Sequence, residues 1–320
     1  MVVALGCRRT HAPSLGRVFR LLVSSLRVTM HAAAGMRASA IPAAARRLAM
    51  RGSASLAGRP ASVSARAPLA RAATLRRRRN HVLTTAGWND FEWGVAKIVS
   101  NEPAAKEGGL RSIQIRVDAE LARGYVTPGQ FVQMRLAEDG KPAFLAIASP
   151  PDASADIFEL LVKSTDGTAG DICALDAGAE VGVSPPMGKG FDLSAAPADE
   201  CPDTFLFATG SGISPVRALI KSGALEGRDV TLFYGTASPA YTAFADEFGE
   251  WEAAGVAVRN VQSRVGGPPT YVQDALKEGI ENVRGEKTCA VLCGQKEMTE
   301  AVIEALVGAG VPKERCIMNF

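Results

Sequence analysis

Thr204–Ala208 is a short apolar run, and the residues after it read Thr209-Gly210-Ser211-Gly212-Ile213-Ser214-Pro215. The run has the length and composition of a buried strand. Glycines let backbone N–H groups approach an anion closely. A helix start adds partial positive charge, and a proline suits the first helical turn. Strand, glycine turn and helix in that order point to a pyrophosphate or another phosphate as ligand. The bland alternative is a Gly-rich strand-to-helix turn with no ligand. The segment is not a P-loop, because Gly-Lys-Ser/Thr is missing, and it is not a standard G-x-G-x-x-G.

This turn opens a stretch of alternating pattern. Buried-strand runs at 204–208, 230–234, 256–261 and 289–292 are separated by helical stretches at 216–222, 244–254, 271–277 and 297–307. Alternation of this kind predicts a parallel sheet with helices on both faces, which binds ligands at the C-terminal ends of its strands. Before a polar, Pro-containing stretch at 197–203 the pattern is different. Six short runs at 93–99, 110–117, 130–136, 144–148, 157–163 and 181–184 are bounded by Pro-Gly and Asp-Gly turns. They predict an antiparallel barrel or sandwich. The expected organisation is a leader over 1–80, an antiparallel β-barrel over 90–195 and an α/β domain over 203–320.

Charge separates the leader from the rest. Of the 36 Lys and Arg, 16 are arginines that precede Asp90, the first acid, so 20 basic residues face 33 acidic ones from there on. An acidic body excludes a basic nucleic-acid binder. An Arg- and Ser-rich, acid-free start has the composition of an organelle transit peptide, with a retained basic tail as the alternative. Arg20 interrupts the apolar stretch at 18–26, so no membrane span is expected. All three histidines (His11, His31 and His81) lie in or beside the leader, which argues against a Ser-His-Asp triad, a His-ligated metal or a His general base. The six cysteines form no C-x-x-C and match no zinc or iron–sulfur spacing.

The ordered set Thr209–Pro215, Tyr234-Gly235, and Cys293-Gly294 with Met298 resembles the nicotinamide half of the ferredoxin–NADP reductase superfamily. The likeness runs over about residues 90–320 and is nearest a plant and algal plastid group of FAD/NAD(P)-binding oxidoreductases. It implies that Thr209, Gly210, Ser211, Gly212, Ile213, Ser214 and Pro215 line the dinucleotide pyrophosphate and nicotinamide. Tyr234, Gly235, Gly294 and Met298 would complete that site, with the Cys293 thiol against the nicotinamide ring; a small buried apolar residue is the alternative for Cys293. Ser263-Arg264 and then Tyr271 resemble the family's NADP pocket. A guanidinium and a hydroxyl can hold a 2′-phosphate while a tyrosine stacks on adenine, which favours NADPH over NADH.

The flavin half departs from the family. An Arg-x-Tyr-Ser strand is usual there, and alignment on Ile147-Ala148-Ser149 puts Ala143, Leu145 and Ala146 at those three positions. Gly167-Thr168-Ala169-Gly170 matches the family's second pyrophosphate-binding turn, where backbone N–H groups could hold phosphates without the arginine. The terminal Phe320 matches an aromatic that stands near the flavin. The implied activity is a flavin-dependent oxidoreductase taking hydride from NAD(P)H to FAD and on to an acceptor, either a small molecule or a redox protein. Two alternatives are an electron-transfer subunit that needs a partner, and a nucleotide-binding protein that has lost turnover. The leader and the resemblance together imply the chloroplast stroma, with the mitochondrion as the alternative.

Overall fold

The structure is a computed structural model that describes residues 91–152 and 154–319. The leader over 1–80 and Phe320 lie outside the described residues. The first half contains β1 (Gly94–Pro103), β2 (Leu110–Arg116), α1 (Ala119–Gly124), β3 (Phe131–Arg135), β4 (Ala143–Ala146), β5 (Ile157–Lys163), α2 (Thr168–Cys173) and β6 (Glu180–Val183). Its strands form one antiparallel sheet in the order β4-β3-β6-β1-β2-β5. An antiparallel bridge between Ile147 and Leu160 joins the two outer strands and closes the sheet into a barrel. Period-two alternation explains the filling: Ile113 and Ile115 on β2 and Val132 and Met134 on β3 all point inward and are buried. Helix α1 has no counterpart among the sequence expectations. The Asp118 carboxylate starts it by accepting hydrogen bonds from the Glu120 and Leu121 N–H groups.

The second half contains β7 (Asp203–Thr209), α3 (Ile213–Lys221), β8 (Asp229–Thr236), α4 (Phe248–Ala253), β9 (Val256–Gln262), α5 (Val272–Lys277), β10 (Thr288–Cys293), α6 (Lys296–Gly308) and β11 (Cys316–Met318). The sheet order is β11-β10-β7-β8-β9, and every pairing is parallel. The chain therefore builds outward from β7 to β9, then returns past β7 to lay down β10 and β11. That reversal puts a crevice beyond the C-terminal ends of β7 and β10. Strand β11 is an addition to the expected four. The expected helix over 244–254 is shorter, because Phe244 sits at φ 56° and a single 3₁₀ turn follows before α4 begins.

One core fills the barrel and a second covers one face of the parallel sheet. A third crosses the seam between the halves. In it Leu110, Ala148, Leu161 and Phe191 of the barrel side pack with Ile213, Val216 and Leu219 of α3.

Candidate functional site

The glycine turn at 209–212 sits at the crevice because β7 ends at Thr209. Gly210 has φ 53°, a left-handed backbone, with open space where a side chain would stand. Gly212 has an ordinary backbone but no room, since a Cβ there would collide with the Cys293 carbonyl. Gly294 is as tightly placed, against the Thr209 hydroxyl and the Met298 methyl. The Gln295 N–H donates to the Thr209 side-chain oxygen at 3.1 Å. Four separate sequence signals, Thr209–Gly212, Cys293, Gly294 and Met298, are thus one packed unit. Pro215 falls within the first turn of α3, where no intrahelical acceptor is available for an N–H.

A cavity of about 740 Å³ opens beside this unit. Thr209, Gly210, Ser211, Gly235, Ser263, Arg264, Tyr271 and Met298 all line it, so most of the expected nicotinamide-nucleotide residues converge. Backbone bonds from Ser263 N–H to the Thr236 carbonyl (2.9 Å) and from Arg264 N–H to the Ala237 carbonyl (2.9 Å) hold the basic corner against β8. Tyr271 is half exposed at the start of α5, with its ring free to meet a ligand.

Five other expected residues stand behind the cavity wall. Ile213, Ser214 and Pro215 are buried in α3. Tyr234 is fully buried: its hydroxyl donates to the Gly210 carbonyl at 3.2 Å and accepts from Ala243 N–H at 3.3 Å. Burial pushes that phenol well above its usual range. Tyr234 therefore holds the turn in shape from beneath and does not line the cavity. Cys293 is also nearly closed off, and burial pushes its thiol up to about 12.

Lys163 and Tyr241 line the same cavity and carry no motif that the sequence reading used. Lys163 ends β5, so the barrel supplies a cation to a cavity made mostly by the other half. The signal in the sequence was a charge terminating an apolar run, which alone says only that a strand has reached solvent.

The flavin-side residues lie apart from the cavity. Leu145 and Ile147 point into the barrel core, with Leu145 paired across to Val132. Leu145, at the family's tyrosine position, therefore packs inside the barrel. Its neighbour Phe144 is 63% exposed and lies 5.9 Å from the Phe131 ring. Ala143 and Ala146 are half-buried. Ala148 packs in the seam. The Ser149 hydroxyl accepts from Glu159 N–H at 3.1 Å, and its carbonyl accepts from the Tyr125 hydroxyl at 2.8 Å.

Gly167 has φ 85° and precedes α2, whose residue Ala169 packs on the barrel core. Gly170 has no room for a side chain against the Thr165 carbonyl. Thr168 donates to the Lys141 carbonyl at 2.7 Å, which brings the Gly167–Gly170 turn beside the start of β4. An exposed aromatic, small side chains and a glycine turn with a lysine nearby form a surface that fits a flat ring bearing phosphates.

A family model for the oxidoreductase NAD-binding domain matches residues 206–304. Fruit protein pKIWI502 from Actinidia deliciosa is 33% identical over 247 residues, which is 72% of this chain and 77% of that protein. A ferredoxin–NADP reductase from Spirulina is 29% identical over 156 residues, 43% of this chain and 52% of its own length, so the match spans about half of that reductase. Among solved structures, a ferredoxin NADP⁺ reductase from Neisseria gonorrhoeae with bound FAD and NADP superposes with a TM-score of 0.59 at 20% identity. That match covers 68% of this chain and 92% of the other. The chain belongs to the ferredoxin–NADP reductase superfamily of nicotinamide-binding oxidoreductases.

Proposed function

We propose that this protein is a flavin-dependent oxidoreductase that takes hydride from NADPH to FAD and hands electrons to an acceptor. The observation that carries the reading is the cavity at the crevice between β7 and β10, where the glycine turn and the basic corner meet. When bound, the nicotinamide and flavin rings supply the redox chemistry, and the chain supplies orientation and exclusion of water.

The Gly210 and Ser211 backbone binds the dinucleotide pyrophosphate, with Lys163 adding charge from the barrel side. Arg264 and Ser263 hold the 2′-phosphate, and Tyr271 packs on the adenine. Cys293 stays a neutral thiol and serves as an apolar wall behind the turn. On the barrel side the 167–170 turn and Lys141 hold the flavin phosphates, and Phe144 takes the packing role that Leu145 cannot fill. The Arg-rich leader supports import into the chloroplast stroma, testable by the location of a fluorescent fusion to residues 1–80.

An absorption spectrum of the chain from about residue 80, before and after anaerobic NADPH, tests the activity. A flavin spectrum that bleaches is the expected result. A chain that binds no flavin even after added FAD would overturn the reading.

A further inference from the structure

Arg217 is 6% exposed, on the same face of α3 as Ser214, one turn earlier. Its Nη1 donates to the Ala148 carbonyl at 3.0 Å and to Glu159 Oε2 at 2.8 Å, both on the barrel side of the seam. Its Nε and Nη2 donate to Glu247, the Nη2 bond at 2.7 Å. The guanidinium lies 4.5 Å above the ring of Phe244, the residue held in the left-handed backbone region. Ser112 donates to the other Glu159 oxygen at 2.8 Å, and Lys221 bonds Glu247 at 3.2 Å. Ser214 donates to the Ala146 carbonyl at 2.8 Å. Helix α3 is therefore pinned at two points to alternate carbonyls of one barrel segment.

From this arrangement we infer that Arg217 is a positioning residue that sets the spacing between the 209–212 turn and the outer face of β4. The inference rests on the proposed transfer from nicotinamide to flavin. Helix α3 begins directly after the glycine turn and carries both pins, so any tilt of the helix displaces the turn relative to Phe144 and Ala146. A guanidinium has a rigid fork, and a nearly buried charge tolerates few alternative arrangements. Two carboxylates, one from each half, share that fork. This shared fork ties the two candidate half-sites to each other. Misplacement of reacting groups by about 1 Å can cost on the order of a hundredfold in rate.

The test compares the flavin-loaded wild type with Glu159→Gln and Arg217→Lys, the first of which keeps side-chain size and a hydrogen-bonding oxygen. A core variant outside the seam cluster, Leu306→Ala, serves as a control for lost stability. In both seam variants the rate of flavin bleaching by NADPH should fall about tenfold or more, with the Kd for NADPH within about twofold of wild type. Amide exchange should quicken in peptides covering 143–149 and 213–219 and stay unchanged over β8 and β9. Leu306→Ala should lower Tm and leave the bleaching rate intact. Seam variants that lose Tm but keep both the bleaching rate and the exchange pattern would overturn the inference. If the wild type does not bleach, the proposed function fails, and the exchange pattern alone decides whether Arg217 pins the seam.

Discussion

The Thr209 side-chain oxygen and the Gln295 backbone N–H are hydrogen-bonded at 3.1 Å, which ties the turn after β7 to the turn after β10 across the crevice. Thr209→Val keeps the shape and leaves that N–H without its partner. The expected loss is about 1 kcal/mol in urea denaturation, with several-fold weaker NADPH binding by calorimetry. Unchanged values for both would show that the tie does not shape the cavity.

Two glycines of the turn should respond in opposite order to side-chain size. Gly210 needs a left-handed backbone but has space, so Gly210→Asn should cost less than about 1 kcal/mol, because Asn tolerates that region. Gly212 has an ordinary backbone and no space, so the smaller change Gly212→Ala should cost about 1–3 kcal/mol. Thermal unfolding of the two variants checks the order.

Cys293 should be slow to react. With its thiol pushed up to about 12, only on the order of one molecule in ten thousand carries a thiolate at pH 8. Peptide mapping after iodoacetamide should find Cys293 labelled far more slowly than the half-buried Cys173. Labelling at the speed of a free thiol would contradict its buried, apolar setting. Because the folded thiol titrates above the ordinary value of 9.0, its contribution to stability is complete below pH 9 and disappears as pH rises toward 12.

Acid should weaken the seam. Burial alone would raise the Glu247 carboxyl, but the hydrogen bonds and charge of Arg217, with Lys221, outweigh it and hold the group below its ordinary 4.5. A depressed carboxylate stabilises the fold above pH 4.5, and that contribution is lost as pH falls through the depressed value. Urea midpoints measured from pH 6 to pH 3 should fall more steeply in wild type than in Glu247→Gln. Parallel curves would remove Glu247 from the acid response.

Arg264→Ala should raise the KM for NADPH at least tenfold and leave that for NADH nearly unchanged, because the guanidinium is proposed to hold a phosphate that NADH lacks. Equal losses with both nucleotides would assign Arg264 to the pyrophosphate instead.

The parallel sheet was legible because its strands are continuous apolar runs separated by helical periods, and the turn at 209–215 was legible because glycine spacing reports backbone requirements directly. Helix α1 and strand β11 were not, since six and three residues are too short to establish a period. The collapse of Thr209, Gly294 and Met298 into one unit depended on the register of β7 against β10, which no local pattern encodes. Leu145 and Phe144 show the limit most clearly. Alignment on Ile147-Ala148-Ser149 selects Leu145, but the pleat decides which side chain meets solvent, and it selects Phe144. Arg217 gave no signal as one basic residue in an amphipathic helix, because its partners Glu159 and Glu247 are 58 and 30 residues away.

The core that runs through the seam has a consequence for anyone who would cut this protein apart. Leu161 and Phe191 would be stripped of cover if the α/β half were removed, and Ile213 and Val216 if the barrel were. Neither piece carries a finished surface, so grafting a nicotinamide half from a relative would require redesign of the joint as well as the cavity. Heating should melt the two halves in one cooperative event, a single calorimetric peak in place of two.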